Sequence, residues 1–278
     1  MNLLKIQILD KTEQVKQGKN DYEDFQRPLE NSGADFCYIA TQDFQYADQD
    51  IIRVTTDQPN QYLMVKLDET LDTTLVYLPA NQWDYQIDLS QNAFDARPDK
   101  AFSSKRHYLS VRRATATERK SYRNLALNLH DQKEFTGAYP HASANVETRN
   151  DATFFACNAI DGVLASNMHG EYPYQSWGIN QQTDAALTID FGRPVMLDQA
   201  ALVLRADFPH DSYWPQVTLH FSDDSEEVVQ LEKSGEPQYF QFKKRTVTQV
   251  TVLNLQKAAD ESPFPALDEV EFYGVNAE

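Results

Sequence analysis

Between Leu187 and Phe191 the chain alternates strictly, with Leu187, Ile189 and Phe191 set against Thr188 and Asp190. The same happens further on, where Val217, Leu219 and Phe221 alternate with Thr218 and His220. A period of two predicts strands with one buried and one wet face. Ala200 to Arg205, Glu227 to Leu231, Tyr239 to Phe242, Val247 to Leu255 and Glu269 to Tyr273 read as further strands. The N-terminal stretch is built the same way. Short β-branched and aromatic runs cover Leu3 to Leu9, Phe36 to Ala40, Ile51 to Thr55, Tyr62 to Leu67, Thr74 to Leu78, Trp83 to Leu89 and His107 to Val111. Turn-forming clusters such as Asp57-Gln58-Pro59-Asn60 and Pro79-Ala80-Asn81 separate them.

One segment changes period. Thr115 and Glu118 stand at capping-box spacing, and Tyr122, Leu125, Ala126 and Leu129 recur at i, i+3, i+4 and i+7, which predicts an amphipathic helix within residues 115 to 130. The pattern as a whole is all-β: two jelly-roll-like β-sandwich domains, residues 1–113 and 139–278, joined by a short helical linker over 114–138. No short internal repeat interrupts it.

Charge narrows the partners. Forty-two acidic against 25 basic residues give a formal charge of −17, so nucleic acid and an anionic membrane surface are both repelled. No apolar run approaches the ~20 residues of a membrane span. The start, Met1-Asn2-Leu3-Leu4-Lys5-Ile6, lacks the basic and apolar regions of an export signal and reads as a first strand. A cytoplasmic, acidic protein is the expectation. Cys37 and Cys157, the two cysteines, lie far apart beside apolar residues and read as reduced, buried thiols rather than a disulfide or a nucleophile.

The most distinctive motifs lie in the second half: Asn158-Ala159-Ile160-Asp161-Gly162, Ser176-Trp177-Gly178, Leu187-Thr188-Ile189-Asp190-Phe191-Gly192, and Glu269-Val270-Glu271-Phe272-Tyr273-Gly274. Their order and spacing resemble the discoidin, or coagulation factor 5/8 C-terminal, type of galactose-binding-like β-sandwich, over roughly residues 140 to 275. The resemblance implies a lectin-like carbohydrate-binding module. It also implies a structural cation beside the Ile-Asp-Gly loop, held by Asp161 and a glutamate of the last strand, Glu269 or Glu271. An oxygen-only set of this kind suits Ca²⁺. The bland alternative is that Asp161 fixes a turn before Gly162 and the glutamates are solvated.

Ligand residues are sought in two loops. Arg205-Ala206-Asp207-Phe208-Pro209-His210-Asp211-Ser212-Tyr213-Trp214 gathers a forked cation, carboxylates, an imidazole and aromatic rings, which are the parts that sugar hydroxyls and the C–H face of a sugar ring require. Arg205, Asp207 and His210 are the candidate polar contacts, and Trp214 or Phe208 the stacking ring. From the loop that follows Ile-Asp-Gly, His169 and Tyr172 would face them. Trp177 reads as core and His141 as structural. The competing view is a rim cluster in which Arg205 pairs with Asp207 or Asp211 and the aromatic residues plug the end of the barrel.

Two other function classes stay open. A carbohydrate-active enzyme such as a glycoside hydrolase would need an acid and a base, for which His169, His210, Asp207, Asp211 and Glu171 are the supply, but no nucleophile elbow, zinc-protease motif or phosphate loop is present. A scaffold that self-associates or displays its loops to another protein is compatible with an acidic surface carrying exposed aromatics.

Overall fold

The computed structural model describes residues 3–166, 168, 171–173, 175–206 and 212–277. It divides into two units, Met1–Ala116 with Thr136–Ala138, and Thr117–Phe135 with Tyr139–Glu278.

The first unit is antiparallel throughout its two main sheets. Its strands are β1 (Leu4–Leu9), β2 (Gln17–Gly18), β3 (Arg27–Pro28), β4 (Glu30–Gly33), β5 (Phe36–Thr41), β6 (Ile51–Thr56), β7 (Gln61–Lys66), β8 (Thr74–Leu78), β9 (Gln82–Gln86) and β10 (His107–Arg113), with a short helix α1 (Gln91–Asp95) before β10. One sheet runs β4-β1-β6-β9 and the other β5-β10-β7-β8. Alternation makes each sheet one-sided: Leu4, Ile6 and Ile8 of β1, Ile52 and Val54 of β6, Leu63 and Val65 of β7, and Leu109 and Val111 of β10 are buried in a single core. On the opposite face of β6 the Arg53 fork holds the cross-strand Asp84 through two bonds of 2.7 Å.

The second unit holds β11 (Arg123–Asn124), β12 (His141–Ala144), β13 (Trp177–Gly178), β14 (Leu187–Arg205), β15 (Gln216–Phe221), β16 (Glu226–Gln230), β17 (Gln238–Gln256) and β18 (Ala266–Asn276), in the order β11-β18-β14-β17-β15-β16 with β12 on β14 and β13 on β18. The all-β expectation holds. Segments that read as separate strands in the sequence are fused, however. Leu187 to Phe191 and Ala200 to Arg205 belong to the single 19-residue β14. The pairing of β14 slips between Asp190 and Val195, where Gly192 takes φ +65° and donates its N–H to Asp190 Oδ1 at 2.7 Å. A Cβ on Gly192 would meet the Tyr139 ring at 2.2 Å, so only glycine lets the strand turn there and continue.

The predicted linker helix is a correction. Helix α2 spans only Ala116–Lys120, and the stripe Tyr122, Leu125, Ala126, Leu129 is not helical. Asn124 Oδ1 accepts from the N–H groups of Ala126 (3.0 Å) and Phe272 (3.1 Å), Leu125 donates its N–H to the Phe272 carbonyl (2.7 Å), and Asn128 Oδ1 accepts from the His130 N–H (3.0 Å). Two asparagines and the edge of β18 thus claim the backbone groups a helix would have paired. Leu125 and Ala126 are buried all the same, in the second unit's core, while Tyr122 is exposed. No helix among the described residues is long and apolar enough to cross a membrane.

Candidate functional site

The Ile-Asp-Gly turn closes a run of short 3-10 turns over 148–160, and its backbone is tied to the last strand: the Gly162 N–H donates to Glu269 Oε2 at 3.1 Å. Asp161 Oδ1 accepts from the Val163 N–H at 2.8 Å. On β18, Asp268 and Glu269 are both buried although adjacent residues of a strand point to opposite faces. Both faces of β18 are covered, every residue from Ala266 to Phe272 being buried. Pairing with β14 passes from Val203 opposite Glu269 to Leu204 opposite Leu267, which leaves Asp268 outside the regular register. Ser166 donates its hydroxyl to Asp268 Oδ2 at 3.0 Å.

These acids are poorly compensated. Glu269 is fully buried, and its Oε1 meets no hydrogen-bond donor among the described residues. Burial, followed by the charge of Asp161, holds its carboxyl well above the usual range, and burial with the Asp268 charge raises Asp161 to about 7. Burying Glu269 with one carboxylate oxygen unsatisfied is costly, and an all-oxygen donor set with such an oxygen fits a hard dication such as Ca²⁺. Asp161 and Glu269 are the residues that would hold it. Glu271, the other glutamate in question, is committed elsewhere: Asn124 Nδ2 lies 3.5 Å from its Oε1, and the Tyr273 hydroxyl bonds it.

The loop expected to carry ligand contacts fares differently. Asp207, Phe208, His210 and His169 lie outside the described residues. Tyr172 is exposed, as a contact residue must be. Trp214 is a correction: it is only 1% exposed, its ring centroid lies 6.3 Å from that of Trp177 within the core, and it cannot serve as an outer stacking platform. Arg205 is also buried, at the end of β14 across from Ala266. Burial of a long run at the end of β14 overrides the loop-end position that the sequence suggested. Trp177 is core as expected, and the half-buried His141 is bonded through Nδ1 to Asp131 Oδ1 at 2.9 Å, a structural role.

A second arrangement was not foreseen. Tyr122, Asp198, Gln199, Gln241, Phe242 and Lys244 line an open groove of about 440 Å³ beside the pairing of β14 and β17, a size typical of small-ligand sites. The Tyr122 ring stacks on Tyr273 with centroids 6.3 Å apart and planes 20° apart, and the Tyr239 ring lies 6.3 Å from Tyr273, tilted by 46°. The Tyr122 hydroxyl donates to Asp198 Oδ1 at 2.7 Å, and Lys244 Nζ stands 3.5 Å from Asp198 Oδ2. Burial, helped by Asp198, pushes the Tyr122 hydroxyl up to about 12. Strand register assembles the rest: Gln199 stands across from Gln241 on one side and from Tyr273 on the other. The signal was available in part, since Tyr239 and Gln241 occupy the wet positions of β17, where an aromatic residue is unusual. Tyr122 was hidden in the supposed helical stripe.

No family model and no curated protein matches the chain. Among solved structures it is similar to chitosan-binding module 1 of a chitosanase/glucanase from Paenibacillus sp. IK-5, with 22% identity, 55% of this chain and 99% of that one covered, and a TM-score of 0.38. A Streptococcus pneumoniae fucose binding module, SpX-3, is 16% identical over 55% of this chain and 99% of its own, with a TM-score of 0.39. The family 32 carbohydrate-binding module of Clostridium perfringens NanJ, solved with galactose, is 17% identical over 48% of this chain and 91% of its own, with a TM-score of 0.37.

Proposed function

We propose that the second unit binds a carbohydrate without transforming it, and that the groove beside Tyr122 is where the sugar sits. The observation that supports this most is the groove lined by Tyr122, Asp198, Gln199, Gln241, Phe242 and Lys244, with Tyr273 stacked on Tyr122 and Tyr239 next to Tyr273. Aromatic rings suit the C–H face of a pyranose, and the amides and charged groups suit its hydroxyls. Asp198 is already engaged by Tyr122 and Lys244, which suits holding a ligand better than shuttling protons. In the same reading a Ca²⁺ ion at Asp161 and Glu269 is structural: it neutralises the buried acids and ties the Ile-Asp-Gly turn to β18.

The test is calorimetry with mono- and oligosaccharides after a glycan array, on the parent chain and two double variants. Tyr122→Ala with Tyr239→Ala should weaken binding at least about tenfold, the loss of one stacked ring contact or more, while Asp207→Ala with His210→Ala should leave it within a factor of two or so. The reverse result moves the site to the 205–214 loop. No binding to any glycan on the array overturns the carbohydrate reading itself.

A further inference from the structure

The first unit carries a polar cluster that sugar binding does not use. Asp68 and Glu69 lie in the turn between β7 and β8, and His107 opens β10, the strand that pairs with β7. One potential ligand atom from each of the three lies within 4.8 Å of the others, the only such group of three among the described residues. Ligands that share one cation at ~2.0–2.4 Å can be no more than about 4.8 Å apart, so the spacing is one that a single ion spans.

His107 adds an independent indication. It is 3% exposed, and its Nε2 stands 3.2 Å from the Phe44 carbonyl and 3.3 Å from the Ser104 carbonyl. Carbonyls only accept, so the ring proton belongs on Nε2. Nδ1 is then left with a lone pair, and it is buried with no donor among the described residues. An imidazole fixed through one N–H to backbone carbonyls, with its other nitrogen unsatisfied, is how a metal-ligating histidine is usually oriented. The nearby hydroxyl of Tyr46 is likewise buried without a partner, and its ring packs 4.7 Å from the His107 ring.

The carboxylates have room for an ion. Asp68 Oδ1 accepts from the Thr70 N–H (2.9 Å) and hydroxyl (2.6 Å), and Oδ2 from the Phe102 N–H (2.9 Å), which fixes the group and still leaves acceptor capacity. Glu69 takes the Tyr108 N–H on Oε1 and is exposed on its other side. Lys66 does not neutralise them: its Nζ bonds the carbonyls of Leu71 (2.7 Å) and Glu69 (3.4 Å).

We propose that Asp68, Glu69 and His107 bind one divalent transition ion, with one imidazole nitrogen and two carboxylates as protein ligands and the Glu69 side open to solvent. The donor set of one nitrogen and two oxygens favours Zn²⁺ over the all-oxygen preference of Ca²⁺. The chelator-treated full chain is titrated with zinc chloride by calorimetry in excess calcium, which occupies the separate Asp161 site, and metal retained after gel filtration is counted by elemental analysis. One zinc per chain is expected, with a melting temperature raised by zinc. Glu69→Gln keeps an acceptor for the Tyr108 N–H on an exposed side chain, so the fold should survive; zinc affinity should fall at least about tenfold and the thermal shift should shrink with it. His107→Asn should abolish retention. Failure of the parent to take up zinc, or uptake by Glu69→Gln with parental affinity, overturns the proposal.

Discussion

Replacing Asp161 by Asn removes one charge and almost no volume, so it isolates the electrostatics of the Ile-Asp-Gly turn. The amide oxygen can still accept from the Val163 N–H, which lies 2.8 Å from Oδ1 in the parent. In the folded chain the carboxyl is raised from its ordinary 3.8 to about 7, first by burial and then by the Asp268 charge. The folded state therefore holds a proton that the unfolded state has already released. Its contribution to stability is complete below about pH 4 and is lost as pH rises toward 7. At 1.36 kcal/mol per pH unit, the interval from 3.8 to about 7 is worth at most about 4 kcal/mol. Asp161 is only half-buried by surface area, unlike Glu269, and solvent screening brings the expectation to about 2 kcal/mol.

Without calcium, Asp161→Asn should be more stable than the parent by about 2 kcal/mol at pH 8 and nearly equal to it at pH 4. With calcium the order should reverse at pH 8, because only the parent can use its charge to bind the ion. Urea denaturation at pH 4, 6 and 8, in chelator and in excess calcium, measures all of this. A parent more stable than the variant in chelator at pH 8 refutes the electrostatic account of the turn. Equal calcium stabilisation of both chains removes Asp161 from the ligand set.

Other perturbations test the packing. Trp214→Ala should cost about 3–5 kcal/mol in thermal or urea unfolding, because the ring is buried against Trp177; a loss below about 1 kcal/mol would place the ring outside the core. Gly274→Ala would put a Cβ 2.0 Å from the Met196 carbonyl oxygen, so we expect a loss above about 2 kcal/mol, and a neutral result would show that the β14–β18 pairing yields easily. Cys37 is buried and its thiol is pushed up to about 11 by burial, so peptide mapping after alkylation at pH 8 should find it unmodified in the native protein and modified in urea.

Much of the fold was legible along the chain. Alternation placed strands at Leu187 to Phe191, Val217 to Phe221 and most of the N-terminal runs because a one-sided sheet needs nothing beyond neighbours to set its period. It could not show that Leu187 to Phe191 and Ala200 to Arg205 are one strand, because their continuity depends on the space left by Tyr139 at Gly192. The segment around Tyr122 misled for a related reason. Helical spacing there was genuine, but Asn124 and β18 offered its backbone better partners than its own next turn.

The site divides along the same line. Asp161 and Glu269 were marked by residues 158–162 and 269–274 in the sequence, and the Gly162 N–H ties the turn that carries Asp161 to Glu269. Asp268 stands beside them where the β14–β18 ladder slips, and Trp214 leaves the candidate surface because its ring is buried against Trp177 in the core. The groove of Tyr122, Gln199 and Gln241 and the cluster of Asp68, Glu69 and His107 are products of register between strands distant in sequence. Composition and period act over a few residues, so the sequence by itself determined the class of structure and the turn that anchors it. Which side chains share a surface depends on long-range pairing, and only the tertiary structure decided that.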